Sequence, residues 1–214
     1  MTNHNALHGL YAITDPDLMA DDFMKMTEQA IHAGISILQY RNKTATLQQQ
    51  EREAIELANL CQKNNILFLI NDNAELAVKV NADGVHLGQK DGSIEQARSL
   101  LGENKIIGVT CHNQIELAQF AEQQGADYVA FGRFFTSKTK PHTSQADLSI
   151  LTEAKKLLSI PIVAIGGIDH DSAPILLKEG ADMLAVIHGI FGQKDISNAT
   201  REFIKIIDSP KRSV

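Results

Sequence analysis

Eight short hydrophobic runs, each followed by a longer segment of helical periodicity, constrain this sequence most strongly. The runs lie at residues 10–15, 36–41, 67–72, 84–89, 105–110, 128–132, 160–167 and 183–189. Each is nearly continuous in apolar residues, which is typical of parallel strands buried on both faces. Eight such units in 214 residues favour a closed barrel over an open doubly wound sheet. The sequence therefore predicts an α/β fold, a single (β/α)8 TIM-barrel domain over residues 1–214, with the barrel at about 10–207 and a tail at 208–214.

A weak internal repeat supports this arrangement. The segments HAGISILQY, VNADGVHLG, QGADYVAFG and EGADMLAVIHG each end a helical pattern and begin the next run within a few residues. Helix-start signals fit the same division. Ser93 with Gln96 and Asn113 with Glu116 have the spacing of capping boxes, and Asp171 is expected to cap a later helix.

Charge and composition exclude several classes of partner. The formal net charge of −6 argues against a general nucleic-acid or anionic-membrane binder, because both need a basic surface. No apolar run approaches the roughly 18–20 residues of a membrane span, and the first residues do not resemble a secretory signal. Cys61 and Cys111 lack metal-ligand spacing and are expected to be reduced thiols. We therefore expect a cytoplasmic protein with small-molecule partners; whether it forms a homo-oligomer is left open.

Polar side chains collect at the C-terminal ends of the predicted strands, where the active sites of such barrels lie. The polar residues are Asp15, Gln39, Arg41, Lys43, Asn71, Asp72, Gln89, Asp91, Thr110, His112, Lys138, Thr139, Lys140 and His188, and the glycine pair Gly166–Gly167 ends the seventh strand among them. The opposite strand ends carry far fewer of them. This convergence, more than any one residue, predicts a site for polar substrates at one end of the barrel.

Two carboxylates in this set predict a metal site. Asp72 and Asp91 close the third and fourth predicted strands, which are neighbours in a barrel. Mg²⁺ suits such a pair, because it usually takes one or two protein carboxylates and keeps water or phosphate oxygens in its other positions. Each aspartate could instead be only a helix N-cap, an alternative that weakens when both lie beside Asn71 and Gln89.

The cations and glycines nearby indicate phosphate binding. Arg41 and Lys43 leave the second strand beside the aspartates, and their guanidinium and ammonium groups suit phosphate oxygens. Lys140 lies in the long polar segment 133–147, which could be a lid or only a flexible insertion. The pair Gly166–Gly167 would let backbone N–H groups approach a phosphate, or could serve only a tight turn. His112 could act as an acid or base or orient a neighbour.

Seven motifs taken together resemble the thiamine-phosphate synthase family. They are QYRNK (39–43), ND (71–72), GVHLGQKD (84–91), GVTCH (108–112), GADYVAFGRFFTSKTKP (125–141), VAIGGI (163–168) and AVIHGIFG (185–192). The resemblance implies a TIM barrel that uses Mg²⁺ as its cofactor. It also implies the reaction: 4-amino-2-methyl-5-hydroxymethylpyrimidine diphosphate joins 4-methyl-5-(2-phosphoethyl)thiazole, and the products are thiamine phosphate and diphosphate.

The same resemblance implies roles for individual residues. Asp72 and Asp91 match metal ligands, and Arg41, Lys43 and Lys140 match the cations that act in catalysis. The substrate-binding positions are Gln39, Tyr40, Arg41, Asn42, Lys43, Asn71, Thr110, Ser137, Lys138, Thr139, Lys140, Gly167, Ile187 and His188. Three positions depart from the family pattern, since many relatives have proline at Thr136, threonine at Ser137 and serine at His188. Contacts to the thiazole phosphate are therefore implied less strongly than contacts to the diphosphate.

Two other functions compete with this interpretation. A thiazole tautomerase would share the barrel and use a histidine near His112, without Mg²⁺. A non-catalytic protein that binds thiamine precursors would be expected to lose metal ligands or lid cations. The sequence keeps the full set of Arg41, Lys43, Asp72, Asp91 and the lid pair Thr139–Lys140. This set favours the synthase, because a tautomerase has no diphosphate to neutralise.

Overall fold

The computed structural model describes residues 7–136 and 145–209 and contains eight parallel strands in a closed ring. The strands are Gly9–Ile13 (β1), Ile37–Tyr40 (β2), Leu67–Asn71 (β3), Gly84–Leu87 (β4), Ile106–His112 (β5), Tyr128–Phe131 (β6), Ile162–Ile165 (β7) and Met183–Val186 (β8). Each pairs with the next, and β8 pairs with β1 to close the barrel. The predicted (β/α)8 barrel is confirmed, and every predicted strand overlaps an observed one.

Helices connect the strands and cover the outside of the barrel. They are Pro16–Met19 (α1), Phe23–Ala33 (α2), Leu47–Asn64 (α3), Ala74–Lys79 (α4), Ile94–Leu101 (α5), Ile115–Gln123 (α6), Ser149–Leu157 (α7), Ala173–Glu179 (α8), His188–Phe191 (α9) and Ile196–Asp208 (α10). Among the described residues, none of the helices combines the length and apolar character that crossing a membrane requires. The segment predicted as a tail begins with Asp208, which ends α10, and residues 210–214 lie outside the described residues.

Two apolar cores result from the alternation of side chains along each strand. Alternate positions such as Leu10, Ala12 and Leu38 face the helices and join the larger outer core. The intervening positions, among them Tyr11, Tyr128 and Met183, fill the inside of the barrel. Burial of each large side chain contributes roughly 1.5–3 kcal/mol, so this filled interior is a packed core rather than a pore.

Three aspartates, which we call the base aspartates, tie the N-terminal ends of the strands together. They are Asp83, Asp127 and Asp182, each directly before an even-numbered strand. Their carboxylates accept the backbone N–H of the preceding strand at residues 68, 107 and 162, with distances of 2.8, 2.8 and 2.9 Å. The repeated Ala-Asp in the sequence is therefore a structural device that recurs before β4, β6 and β8.

The predicted helix starts are confirmed in one case and wrong in two. Ser93 and Gln96 form a reciprocal capping box at α5. Asn113 does not cap α6, because β5 continues through His112 and the helix begins only at Ile115. Asp171 does not cap α8: Ser172 occupies that position, and its N–H donates instead to the Asp169 carboxylate at 2.9 Å.

Candidate active site

A cavity of about 530 Å³ opens at the C-terminal ends of the strands. This volume lies within the range of small-molecule sites. Its polar lining consists of Tyr11, Gln39, Arg41, Lys43, Asn71, Asp72, His86, Gln89, Lys90, Asp91, Thr110, His112 and Arg133. Eight residues predicted to bind substrate or metal line this cavity: Gln39, Arg41, Lys43, Asn71, Asp72, Asp91, Thr110 and Ile187.

A smaller cavity of about 200 Å³ adjoins it beyond β7 and β8. Gly167 and His188, both predicted to bind substrate, line it, and Ile187 lines both cavities. Gly166 and Gly167 have φ values of 101° and 70°, so the turn itself requires glycine there. A side chain on Gly167 would also strike the backbone at Phe135. A tight turn and a backbone that a phosphate can approach are therefore compatible roles for this glycine pair.

Four charged side chains, which we call the charged rim, stand together at one side of the larger cavity: Arg41, Lys43, Asp72 and Asp91. The Lys43 ammonium lies 2.7 Å from a carboxylate oxygen of Asp72, and the carboxylates of Asp72 and Asp91 both lie next to Gly88. Gly88 makes this approach possible, because a side chain there would collide with the Asp91 carboxylate.

The two carboxyl groups of the rim have opposite pKa shifts. Burial acts to raise the pKa of Asp72, but the hydrogen bond and positive charge of Lys43 outweigh it and lower that pKa. Burial, followed by the negative charge and hydrogen bond of Asp72, raises the pKa of Asp91. One ammonium therefore does not neutralise both groups, and the pair can accept further positive charge.

The donor set of the rim fits Mg²⁺. No cluster of three histidine, cysteine, aspartate or glutamate side chains suited to a metal occurs within residues 7–136 and 145–209. A cation held by Asp72 and Asp91 would have two protein ligands and open positions for other oxygens, which is how Mg²⁺ is commonly bound. A site for zinc would need more nitrogen or sulfur ligands than these two oxygens supply.

Two residues of the site have backbone conformations that are uncommon for side-chain-bearing residues. Asp72 has φ of 63° and His112 has φ of 53°, both in the left-handed region. The backbone N–H of Asp72 donates to the carbonyl of His86 at 2.8 Å, which holds the turn after β3 in place. Conformations of this kind concentrate at ligand-binding sites, where the surrounding structure maintains them.

Sequence reasoning missed the polar floor of the larger cavity. A hydrogen-bonded series, the floor network, crosses the barrel through Gln39, Tyr11, Tyr128, His86 and Thr110. Its links measure 2.5 Å, 2.9 Å, 2.8 Å and 2.8 Å in that order. Burial raises the pKa of both tyrosines, which therefore stay protonated and act as neutral hydrogen-bonding groups. Polar residues inside otherwise apolar runs were the available signal for Tyr11, His86 and Tyr128.

Tyr40 and Asn42 are placed differently from the other predicted binding residues. Neither lines the larger cavity, because alternation along β2 turns Gln39 inward and Tyr40 outward. The Tyr40 hydroxyl and the Asn42 amide both donate to the Glu53 carboxylate on α3. That Tyr40 and Asn42 bind substrate stays a prediction, although their side chains face α3 and not the larger cavity.

Four predicted residues of the long polar loop, Ser137, Lys138, Thr139 and Lys140, lie outside the described residues. The described ends of this loop are joined near the smaller cavity. The Gln145 side chain donates to the carbonyl of Phe134 at 2.7 Å, and the Phe135 N–H donates to the carbonyl of Gly166 at 3.1 Å. The base of the loop thus adjoins the turn after β7.

Comparison with known proteins decides the family. A family model described as thiamine monophosphate synthase matches residues 10–190. This chain belongs to that family. It is 52% identical over 190 residues to a thiamine-phosphate synthase of Alcanivorax borkumensis, covering 88% of each chain. It is 47% identical over 191 residues to that of Thioalkalivibrio sulfidiphilus, covering 88% of this chain and 90% of the relative.

Solved structures agree with this membership. A thiamine phosphate pyrophosphorylase from Pyrococcus furiosus superimposes with a TM-score of 0.86 at 35% identity, covering 96% of this chain and 97% of that one. A geranylgeranylglyceryl phosphate synthase from Thermoplasma acidophilum reaches 0.70 at 17% identity, which shows only the common fold. The resemblance predicted from the motifs is confirmed at the level of the family, and the roles of individual residues stay predictions.

Proposed function

We propose that this protein synthesises thiamine phosphate, by joining hydroxymethylpyrimidine diphosphate to thiazole phosphate with release of diphosphate, as a step of thiamine biosynthesis. One observation carries the proposal. The charged rim adjoins a substrate-sized cavity in a chain 52% identical to a thiamine-phosphate synthase over 190 residues. A diphosphate leaving group needs such a rim, because its negative charge grows as it departs.

The reaction exchanges one bond for another at the methylene carbon of the pyrimidine. The carbon–oxygen bond to diphosphate breaks, both of its electrons leave with the diphosphate, and the thiazole nitrogen forms a bond to the same carbon. No protein nucleophile is needed. The chain has to align the two substrates and stabilise the charge on the leaving group.

Arg41, Lys43 and Lys140 are the cations that we assign to the leaving diphosphate, with Asn71 as a neutral donor. Arg41 and Lys43 reach the larger cavity from a loop fixed at its start. The Thr14 hydroxyl accepts from the Arg41 N–H at 2.8 Å and lies 3.1 Å from its carbonyl. Cations fixed before the reaction stabilise the developing charge without having to reorganise.

Mg²⁺ is the cofactor that we assign to Asp72 and Asp91, and when bound it would neutralise further negative charge on the diphosphate. The two aspartates would hold and orient it, and Gly88 leaves the room for both carboxylates. Lys43 keeps Asp72 ionised and therefore ready to act as a ligand.

The two organic groups are assigned to different parts of the site. Gln39 and Thr110 are the proposed contacts of the pyrimidine, because each ends the floor network and faces the larger cavity. The thiazole phosphate is assigned to the smaller cavity, with Gly167, Ile187 and His188 supplying mainly backbone groups. Ser137, Lys138 and Thr139 would complete this subsite from the loop.

The decisive experiment supplies both substrates and measures thiamine phosphate. We expect product with Mg²⁺, little after chelation of divalent cations, and loss of at least about 100-fold in rate for Asp72→Ala, because several kcal/mol of charge stabilisation would be removed. Product formation unaffected by chelation and by the substitution would refute the metal assignment. Isomerisation of the thiazole without condensation would instead favour a tautomerase.

A further inference from the structure

Glu53, on the first turns of α3, is joined to the segment that carries Arg41 and Lys43 from the side opposite the cavity. Its carboxylate oxygen Oε2 accepts from the Tyr40 hydroxyl at 2.7 Å and from the Asn42 amide at 3.0 Å. These two donors flank Arg41 in the sequence. One oxygen atom of one helix therefore holds the residues before and after the arginine of the charged rim.

Asn42 passes this restraint on to the rest of the loop. Its Oδ1 accepts from the backbone N–H groups of Thr44 and Ala45, at 3.3 and 3.1 Å. Its own carbonyl accepts from the Gln50 side chain at 2.7 Å. Because Asn42 is bonded on both sides, its position also sets where the chain continues through Lys43.

The chemistry at this point suits a carboxylate. Both Tyr40 and Asn42 are buried, at 2% and 8% exposure, so each needs an acceptor within the protein. Burial, together with the hydrogen bond and charge of Glu53, raises the pKa of Tyr40, whose hydroxyl therefore remains a donor. Gln49 adds a third donor at 2.7 Å to the other oxygen, Oε1. Hydrogen bonds to an ionised acceptor are roughly twice as strong as neutral ones.

We propose that Glu53 is a positioning residue for diphosphate recognition: through Tyr40 and Asn42 it fixes the segment that presents Arg41 and Lys43 to the substrate. Glu53 itself does not line the larger cavity. This inference rests on the proposed function, because it takes the diphosphate as the group that the charged rim binds. Loss of Glu53 should then impair the diphosphate half of the reaction and spare the thiazole half.

The test compares Glu53→Ala with two matched variants in the full-length protein. Glu51→Ala removes the same charge from the same helix, but Glu51 pairs with Lys79 on α4, away from the loop. Glu53→Gln retains an amide oxygen that can still accept from Tyr40 and Asn42. Each protein is titrated with inorganic diphosphate in the presence of Mg²⁺, and KM and kcat are measured for each substrate.

We expect Glu53→Ala to weaken diphosphate binding about tenfold or more and to lower kcat/KM for the pyrimidine diphosphate by 10- to 100-fold, since displacements of about 1 Å have effects of this size. The KM for thiazole phosphate should stay within about twofold, and Glu51→Ala should match the wild type. Glu53→Gln should recover most of the loss. A residue with only a structural role would alter both substrates equally or neither.

Several outcomes would overturn the inference. They are wild-type diphosphate affinity in a folded Glu53→Ala protein, equal losses for both substrates, or no diphosphate binding by the wild type. If Glu53→Ala does not fold, Tyr40→Phe removes one of the two donors and should raise the KM for the pyrimidine diphosphate a few-fold; an unchanged KM would refute the inference. Wild-type protein that binds diphosphate but makes no thiamine phosphate would refute the proposed function alone.

Discussion

Aspartates stand at both ends of this barrel, and their surroundings differ. At the N-terminal end, the base aspartates Asp83, Asp127 and Asp182 each accept a backbone N–H of the preceding strand. At the C-terminal end, Asp72 and Asp91 lie close enough for the charge of one to affect the other, and the Lys43 ammonium pairs with Asp72. The carboxylates of the base aspartates are satisfied by hydrogen bonds within the fold, whereas those of Asp72 and Asp91 have oxygen atoms that can accept further bonds. Aspartate therefore stabilises the barrel at one end and, in the role that we propose, binds a metal ion at the other.

Among the base aspartates, the largest loss of stability is expected from substitution of Asp127. Its side chain is 6% exposed, and it accepts from Arg98 at 2.8 Å and from the Ile107 N–H at 2.8 Å. Asp127→Ala should lower the free energy of unfolding by about 3 kcal/mol, because the Ile107 N–H loses its acceptor and the largely buried Arg98 loses its carboxylate partner, keeping only backbone carbonyls. Chemical denaturation would measure this, with the condensation rate of the folded variant near that of the wild type. An Asp127→Ala protein that is as stable as the wild type but has low activity would contradict a purely structural role for Asp127.

A smaller effect is expected at Asp182. This residue also accepts a strand N–H, that of Ile162, but its charged partner Lys155 is 43% exposed. Exposed ion pairs contribute little, so Asp182→Ala should lower the free energy of unfolding by about 1–2 kcal/mol, mainly through the unsatisfied N–H. Asp182→Asn keeps an acceptor oxygen and should recover most of the loss. If both substitutions had equal effects, the ion pair rather than the backbone bond would be the source of stability.

At the opposite end, removal of a charge should stabilise the fold. Burial and the charge of Asp72 raise the pKa of Asp91. The folded chain therefore binds this proton more tightly than the unfolded chain, and ionisation lowers stability as the pH rises above the usual carboxyl range near 4. Without Mg²⁺, Asp91→Asn should raise the free energy of unfolding at pH 7 by a few tenths of a kcal/mol, since Asp91 is exposed.

Denaturation at several pH values tests whether Asp91→Asn raises or lowers the free energy of unfolding. The gain from Asp91→Asn should shrink as the pH falls towards 4 and vanish well below it, where the carboxyl is protonated in both the folded and the unfolded state. Activity should be lost at every pH, because a proposed metal ligand is removed. A variant less stable than the wild type at pH 7 would show that the pair behaves like the base aspartates.

The smallest expected effects are on the alkylation of the two thiols, which can be measured in variants at either end of the barrel. Cys61 and Cys111 are fully buried, and burial raises the pKa of each to about 12. Both should resist alkylation at pH 8 in the folded protein, because the thiolate is the reactive form. The alkylation rate should rise in the destabilised variant Asp127→Ala and stay unchanged in Asp91→Asn. Rapid labelling of the wild type would contradict the burial of both cysteines.

The sequence predicted the barrel and its polar end well, because both follow from simple regularities. Continuous apolar runs identify buried strands, and a closed parallel barrel brings all of their C-terminal ends to one side. The direction of individual side chains was harder. Tyr40 and Asn42 belong to the motif that contains Arg41, yet alternation turns both towards α3 and the motif does not show this.

Other failures have equally local causes. A register shift in β5 between Thr110 and His112 lengthens that strand, so Asn113 cannot serve as a cap. The floor network depends on which alternate residues of β1, β4 and β6 face inward. Gly108 makes room for one of them, since a side chain there would occupy the position of the Tyr128 ring. Such long-range fits are set by the assembled barrel and not by any one segment.

The base aspartates have a consequence for the order in which the barrel assembles. Each connects residues only 15 or 20 positions apart in the chain. Closing so short a loop costs little chain entropy, so these bonds can form while the ring is still open. The barrel thus contains strand pairs that can register before closure, whereas the site at the other end requires the complete ring. If Asp127→Asn folds more slowly than the wild type in proportion to its loss of stability, this strand pair is already formed in the folding transition state.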